Sequence, residues 1–153
     1  MIAKQADALP ARNASGYPEP FRSQVLPREK RALGDAFGLT RIGVNLTTLM
    51  PGKQSSMRHR HDREDELVYI LEGEAVLATD HGEETLVAGM VVGFAAGDGN
   101  SHHLVNRSAQ PVRYLEISNR DPGDTAFYAD VDLAYGRDAD GDVFFAHKDG
   151  TRY

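Results

Sequence analysis

The sequence predicts an all-β domain built as an antiparallel sandwich or closed barrel, and three observations carry that expectation. Runs of strand length, rich in alternating or β-branched apolar residues, follow one another from Leu39 onward. Turn residues interrupt them roughly every 8 to 12 positions. No stretch sustains the apolar period of a helix of normal length.

The first strand is read from Ile42, Val44, Leu46, Thr48 and Met50, which alternate with Arg41, Gly43, Asn45 and Thr47. This is the period of two expected where one face is buried. Pro51-Gly52 turns the chain. Further runs span Met57 to His61, Glu66 to Leu71, Ala75 to Thr79, Glu84 to Val87, Met90 to Phe94, His102 to Val105 and Val112 to Ser118. Between them stand Gly73, Asp80-His81-Gly82, Gly89, Gly97-Asp98-Gly99-Asn100 and Pro111. Residues 39–118 are therefore expected to form the barrel core. Residues 1–38, with Pro10, Pro18, Pro20 and Pro27 among polar neighbours, read as an extended N-terminal arm. Its helix candidate is a short cap from Pro27 to Leu33, closed by Gly34. Residues 119–153 read as a C-terminal extension packing on the barrel, with a strand from Val143 to His147. Aligning Asp138, Asp140 and Asp142 with a calcium loop puts Val143 where glycine is required, so these aspartates and Asp124 are expected to sit in solvated acidic loops.

Composition limits the function. The chain has 153 residues, 41% hydrophobic and 26% charged, which suits one domain. A net charge of -6 opposes attraction to phosphate backbones, which argues against nucleic acid as a partner. No apolar run approaches the roughly 20 residues that cross a bilayer, and the start of the chain lacks the apolar centre of a signal peptide. A cytoplasmic protein without membrane contact is expected. With no cysteine, a disulfide scaffold is excluded.

The chemistry concentrates in His59-Arg60-His61 and Glu66. Residues two apart on a strand share a face, so both imidazoles point to one side while Arg58 and Arg60 point away and make surface ion pairs. If a short turn through Asp62-Arg63-Glu64 joins two adjacent strands, Glu66 returns beside the histidines on the inner face, in phase with Val68 and Ile70. Asp65 then shares the outer face with Leu67, Tyr69 and Leu71. Imidazole nitrogens with a carboxylate oxygen are donors for a first-row divalent metal. His102 and His103 follow a glycine-rich turn, and one of the two can return to the same pocket. His81 reads as a hairpin-turn residue, His147 as solvent-facing or capping, and Tyr69, Phe94 and Tyr114 as core or interface aromatics.

At these residues the sequence resembles the cupin superfamily. Its first motif corresponds to Gly52 through Gly73, with His59, His61, Glu66 and the closing Gly73; its second corresponds to Gly89 through Asn106, where the spacing to Asn106 selects His102. The resemblance thus implies the ligand set His59, His61, Glu66 and His102. It also implies a double-stranded β-helix, or jelly-roll barrel, and one divalent transition metal per chain: Fe, Mn, Ni or Zn. Ala95 stands where proline is usual, and longer spacers precede His59 and His102, differences that reshape the mouth of the site rather than remove a ligand. A homodimer is implied, with Tyr17 and Phe21 of the arm as residues that could cross to a partner subunit. The expected function is a metal-dependent enzyme, of isomerase or dioxygenase type, acting on a small polar metabolite. The rival expectation is a non-catalytic small-molecule binding or sensing module. The spacing names no general acid or base.

Overall fold

The computed structural model describes residues 2–153. A 3-10 turn at Ala6–Ala8 and a five-residue helix α1 (Phe21–Val25) lead into strands β1 (Arg28–Ala32) and β2 (Ile42–Leu49). There follow β3 (His59–His61), β4 (Glu66–Glu72), β5 (Glu74–Thr79), β6 (Gly82–Val87), β7 (Val91–Phe94), β8 (His102–Val105) and β9 (Val112–Asn119). The extension adds β10 (Ala126–Tyr128), β11 (Ala134–Arg137) and β12 (Val143–Ala146). They form two antiparallel sheets, one in the order β1-β2-β9-β4-β7 and the other in the order β12-β11-β10-β3-β8-β5-β6. The all-β jelly-roll barrel expected from the sequence is therefore the architecture found. No helix among the described residues is long and apolar enough to cross a membrane.

Between the sheets, Leu49, Val68, Ile70, Leu77, Leu104 and Val112 form an apolar core. The expected parity of β4 holds, with Val68 and Ile70 buried while Leu67, Tyr69 and Leu71 face outward. Gly73 between β4 and β5 has φ +78°, and a Cβ there would lie 2.8 Å from the Pro111 carbonyl oxygen. Both the left-handed conformation and the close backbone approach demand glycine. Asn106 is likewise structural: its buried amide donates to the carbonyls of Leu49 and Gln110 at 2.9 and 2.8 Å.

Three expectations are corrected. The segment from Pro27 to Leu33 is not a helical cap. Residues 28–32 form β1 and pair with β2 from Arg28↔Leu49 to Ala32↔Asn45, because a run of one or two turns gains less from its own helix than from the ladder along a free sheet edge. The arm is not simply extended either: Tyr17, Phe21 and Val25 are buried against Met57, Tyr128 and Leu133 of the same chain. Finally, the more apolar file of β2 is not its barrel-facing one. Thr47 and Leu49 face inward, registered with Tyr114 and Val112, whereas Ile42 is exposed on the outer face. Leu46 of the outer file is buried even so, and Val68 and Ile70 of β4 keep the usual apolar interior.

Candidate metal centre

Strand β3 belongs to one sheet and β4 to the other. The turn between them therefore crosses the barrel rather than joining adjacent strands, which corrects the expected local geometry. Glu66 meets the histidines from the opposite wall. The convergence survives because inward parity is kept on both strands. His59 Nε2 lies 3.1 Å from His61 Nε2, His102 Nε2 lies 3.1 Å from Glu66 Oε2, and His61 Nε2 lies 3.9 Å from the same oxygen. The register His59↔His102 between β3 and β8 brings in the third imidazole. All four line a cavity of about 350 Å³.

The ring nitrogens on the far side of each histidine are already engaged. His59 Nδ1 lies 2.9 Å from the Met57 carbonyl, His61 Nδ1 lies 2.6 Å from Asp124 Oδ2, and His102 Nδ1 lies 3.4 Å from the Asn100 carbonyl. A proton held at Nδ1 leaves the Nε2 lone pair free to face the cavity. Two such lone pairs 3.1 Å apart repel unless a cation lies between them, and metal–nitrogen bonds of about 2.1 Å place neighbouring donors at that spacing. The residues present therefore fit a divalent metal.

Burial pushes the His59 imidazole down to about 4, against the opposing pull of Glu66, so it is a neutral donor at physiological pH. Burial alone would raise the Glu66 carboxyl, but the His102 hydrogen bond and the three imidazoles outweigh it and hold the group below its ordinary range. A consequence follows for the metal-free protein. The unfolded chain protonates His59 first as pH falls, so the stability from the neutral buried ring is complete above about pH 6.5 and is lost as pH falls toward about 4. The expected loss is at most on the order of 3 kcal/mol, since solvent still reaches part of the ring. Denaturation of chelator-treated protein across that range checks it; a His59→Gln variant with the same pH slope would assign the effect elsewhere.

Asp124 corrects the solvated-loop expectation. It is 8% exposed, and besides meeting His61 it accepts the backbone N–H groups of Arg63 and Glu64 at 2.9 and 3.2 Å. It thus ties the β3–β4 turn to the extension and orients a histidine at once. Asp124→Asn should weaken metal affinity about 10- to 100-fold with little change in fold, measured by competition with a chelating dye; unchanged affinity would reduce Asp124 to a loop clasp.

The remaining candidates separate cleanly. Glu64 accepts the Asp121 N–H at 2.9 Å and Asp65 accepts the Ala96 N–H at 2.8 Å, while Glu66 enters the cluster. His61, Glu64 and Asp124 form a second grouping within ligand reach of one another, in which His61 Nδ1 is already hydrogen-bonded to Asp124 Oδ2 at 2.6 Å. His102 is stacked on Phe94, with ring centroids 3.4 Å apart and planes within 4°. His103 instead meets the Ser56 carbonyl at 3.0 Å. Arg58 is held by both oxygens of Asp130, at 2.7 and 2.6 Å, and by Asp80. Arg60 lies over the Phe127 ring.

Sequence reasoning missed the other polar lining of the cavity. Arg28 and Lys30 face inward from β1, and Tyr114 and Glu116 from β9. Lys30 Nζ pairs with Glu116 Oε1 at 2.9 Å, and the Thr47 hydroxyl donates to Glu116 Oε2 at 3.3 Å. No local signal marks β1, since Arg28, Glu29, Lys30 and Arg31 are charged in succession and show no alternation.

The chain is thus a double-sheet jelly-roll barrel with a histidine and carboxylate cluster on its inner wall. A family model described as the cupin domain matches residues 45–118. The chain is similar over 97% of its length to a sugar phosphate isomerase from a cupin superfamily of Silicibacter pomeroyi, with 41% identity, 94% of that chain covered and a TM-score of 0.91. It is also similar to a candidate sugar phosphate isomerase from Acidithiobacillus ferrooxidans, with 28% identity, 82% and 80% of the two chains covered and a TM-score of 0.73. A predicted oxalate decarboxylase from Thermotoga maritima shares the fold at 22% identity, with 75% and 96% covered and a TM-score of 0.62. No curated protein matches the chain. The chain belongs to the cupin superfamily.

Proposed function

We propose that this cupin is a metal-dependent isomerase of a small polyhydroxylated carbonyl compound, with His59, His61, Glu66 and His102 as the metal ligands. The observation that carries the reading is the convergence of these four side chains on the wall of a cavity of about 350 Å³, the size of a small metabolite. The similarity to a sugar phosphate isomerase at 41% identity supports the reaction class. A bound divalent metal supplies Lewis acidity toward substrate oxygens. Isomerisation also requires a proton to move between neighbouring atoms. Of the cavity carboxylates other than Glu66, Asp124 is bonded to His61 and Glu64 to the Asp121 N–H, while Glu116 stands apart from the histidines, held by Lys30 and Thr47, and is the proposed proton acceptor.

The test is proton exchange in deuterated water, followed by NMR, for a panel of aldose and ketose phosphates. Metal-dependent deuterium incorporation next to the carbonyl, lost in Glu116→Gln, supports an isomerase. Oxygen consumption favours the dioxygenase alternative, and saturable binding with no exchange favours a binding or sensing module.

The same chain is proposed to form a homodimer through the outer face of the β1-containing sheet. Leu67, Tyr69, Leu71 and Val91 are 37–57% exposed there, and the Tyr69↔Val91 register makes the patch continuous. A second copy covers such a face by two-fold symmetry. Light scattering should report a dimer for the native protein and a monomer for Leu67→Lys/Tyr69→Lys; a monomeric native protein would refute the contact.

A further inference from the structure

Most of the polar groups facing the cavity are paired. Glu116 has Lys30 and Thr47, and the histidines have their carbonyl and carboxylate partners. Two groups depart from this. The Arg28 guanidinium has no carboxylate partner among the described residues; its Nη1 donates to the Ser55 carbonyl, and its Nε is buried without any hydrogen-bond partner. The Tyr114 hydroxyl is also buried without a partner, in a residue 2% exposed. Thr47 lies across from it in register, but the Thr47 hydroxyl is turned to Glu116.

These two residues line the same cavity as the histidine cluster and come from the inner faces of β1 and β9. Arg28 is half-buried; a guanidinium partly withdrawn from water without a counter-charge is costly, and each unmade buried hydrogen bond adds to the cost. Burial keeps the Tyr114 phenol well above its ordinary range, reinforced by Glu116 and Glu66 and opposed by Arg28 and the nearby Thr47 hydroxyl. It is therefore protonated at physiological pH and available as a neutral donor. A cationic fork without a counter-charge, its Nε–H unpartnered, and a neutral hydroxyl without a partner have the chemistry of an oxyanion cradle.

We infer that Arg28 and the Tyr114 hydroxyl form an anion-anchoring subsite that receives the carboxylate or phosphate of the small molecule whose other end reaches the histidine cluster. This rests on the proposed function for what lies at the far end, but the subsite itself requires only an anionic oxygen group. The anchor explains why Arg28 is left unneutralised while Lys30, two residues on, is paired. It also assigns separate work to the two residues: Lys30 pairs with Glu116, and Arg28 holds the substrate.

The experiment follows the Arg28 Nε–H resonance in 15N-labelled protein during titration with inorganic phosphate and, separately, malonate. At least one of the two should give a saturable shift, and which one identifies the phosphate or carboxylate class. Thermal denaturation under the same titrations gives a second readout. The anion should raise the melting temperature of the native protein and of His59→Ala/His61→Ala, which separates this subsite from anion binding on a metal. In Arg28→Gln the anion-dependent rise should vanish, with apparent anion affinity weakened by about tenfold or more, whereas Arg28→Lys should retain part of it. A merely structural Arg28, clasping Ser55, predicts a lower melting temperature in Arg28→Gln with the anion-dependent rise unchanged. That outcome, or an Arg28 resonance unmoved by both anions, overturns the inference. If the resonance shifts but the native protein carries no metal, the subsite stands and the proposed metal-dependent reaction fails.

Discussion

Replacing His59 and His61 together by alanine should take the protein from about one divalent metal per chain to none measurable. The two rings supply adjacent Nε2 donors 3.1 Å apart, and their removal leaves only His102 on the same sheet and Glu66 on the opposite one. Two donors do not hold a first-row metal against dialysis when the other two positions have become solvent. Metal-dependent proton exchange should fall to background in step, because the loss is of the Lewis acid rather than of the fold. Elemental analysis of protein purified without a histidine tag measures the first effect. Arg60→Ala is the control, since Arg60 sits between the two histidines but stacks on Phe127 on the outer side. The single variant His59→Ala separates the two possible donor groupings. It should lose most of its metal if the site is His59, His61, Glu66 and His102, and keep it if His61, Glu64 and Asp124 are the ligands. Stoichiometric metal in the double variant would disprove both.

What the sequence made legible was parity. Glu66, Val68 and Ile70 face one way and Leu67, Tyr69 and Leu71 the other, and the structure keeps that division. It does so although the β3–β4 turn connects different sheets rather than neighbouring strands. Parity is a local property of extended backbone, whereas the sheet a strand joins is decided by contacts distant in sequence. The same limit explains β1. Nothing local distinguishes Arg28-Glu29-Lys30-Arg31-Ala32 as a strand, and it becomes one because β2 offers an unpaired edge. Asp124 was hidden for a related reason: its role depends on meeting His61 across 63 positions of chain. The charged lining formed by Arg28, Lys30 and Glu116 runs against the rule that apolar faces turn inward, and that rule is weakest where a barrel encloses a polar ligand. Function concentrates where the hydrophobic pattern fails.

The second large effect distinguishes His102 from His103, which are neighbours on β8 and so point to opposite sides. His102 Nε2 faces Glu66 at 3.1 Å, and one face of its ring lies in a parallel stack on Phe94. The stack fixes the ring plane and costs a rotamer search only once, at folding, so the donor is preorganised. His103 is turned away, with Nδ1 on the Ser56 carbonyl. Burial holds its imidazole below the ordinary range, only partly opposed by that hydrogen bond, so it contributes a neutral structural ring. His102→Ala should weaken metal affinity by more than about 100-fold, beyond the loss typical of an orienting partner, because a bond and a preset geometry disappear together. His103→Ala should keep native metal content and lose only the stability of one partly buried hydrogen bond, about 1 kcal/mol. Phe94→Leu extends the comparison, retaining the ligand while loosening its ring, and should fall between the two in affinity. Metal titration of the three variants decides the matter. Loss in His103→Ala with retention in His102→Ala would mean that β8 is shifted by one residue in solution, and the register Thr79↔His102 between β5 and β8 would have to be abandoned with it.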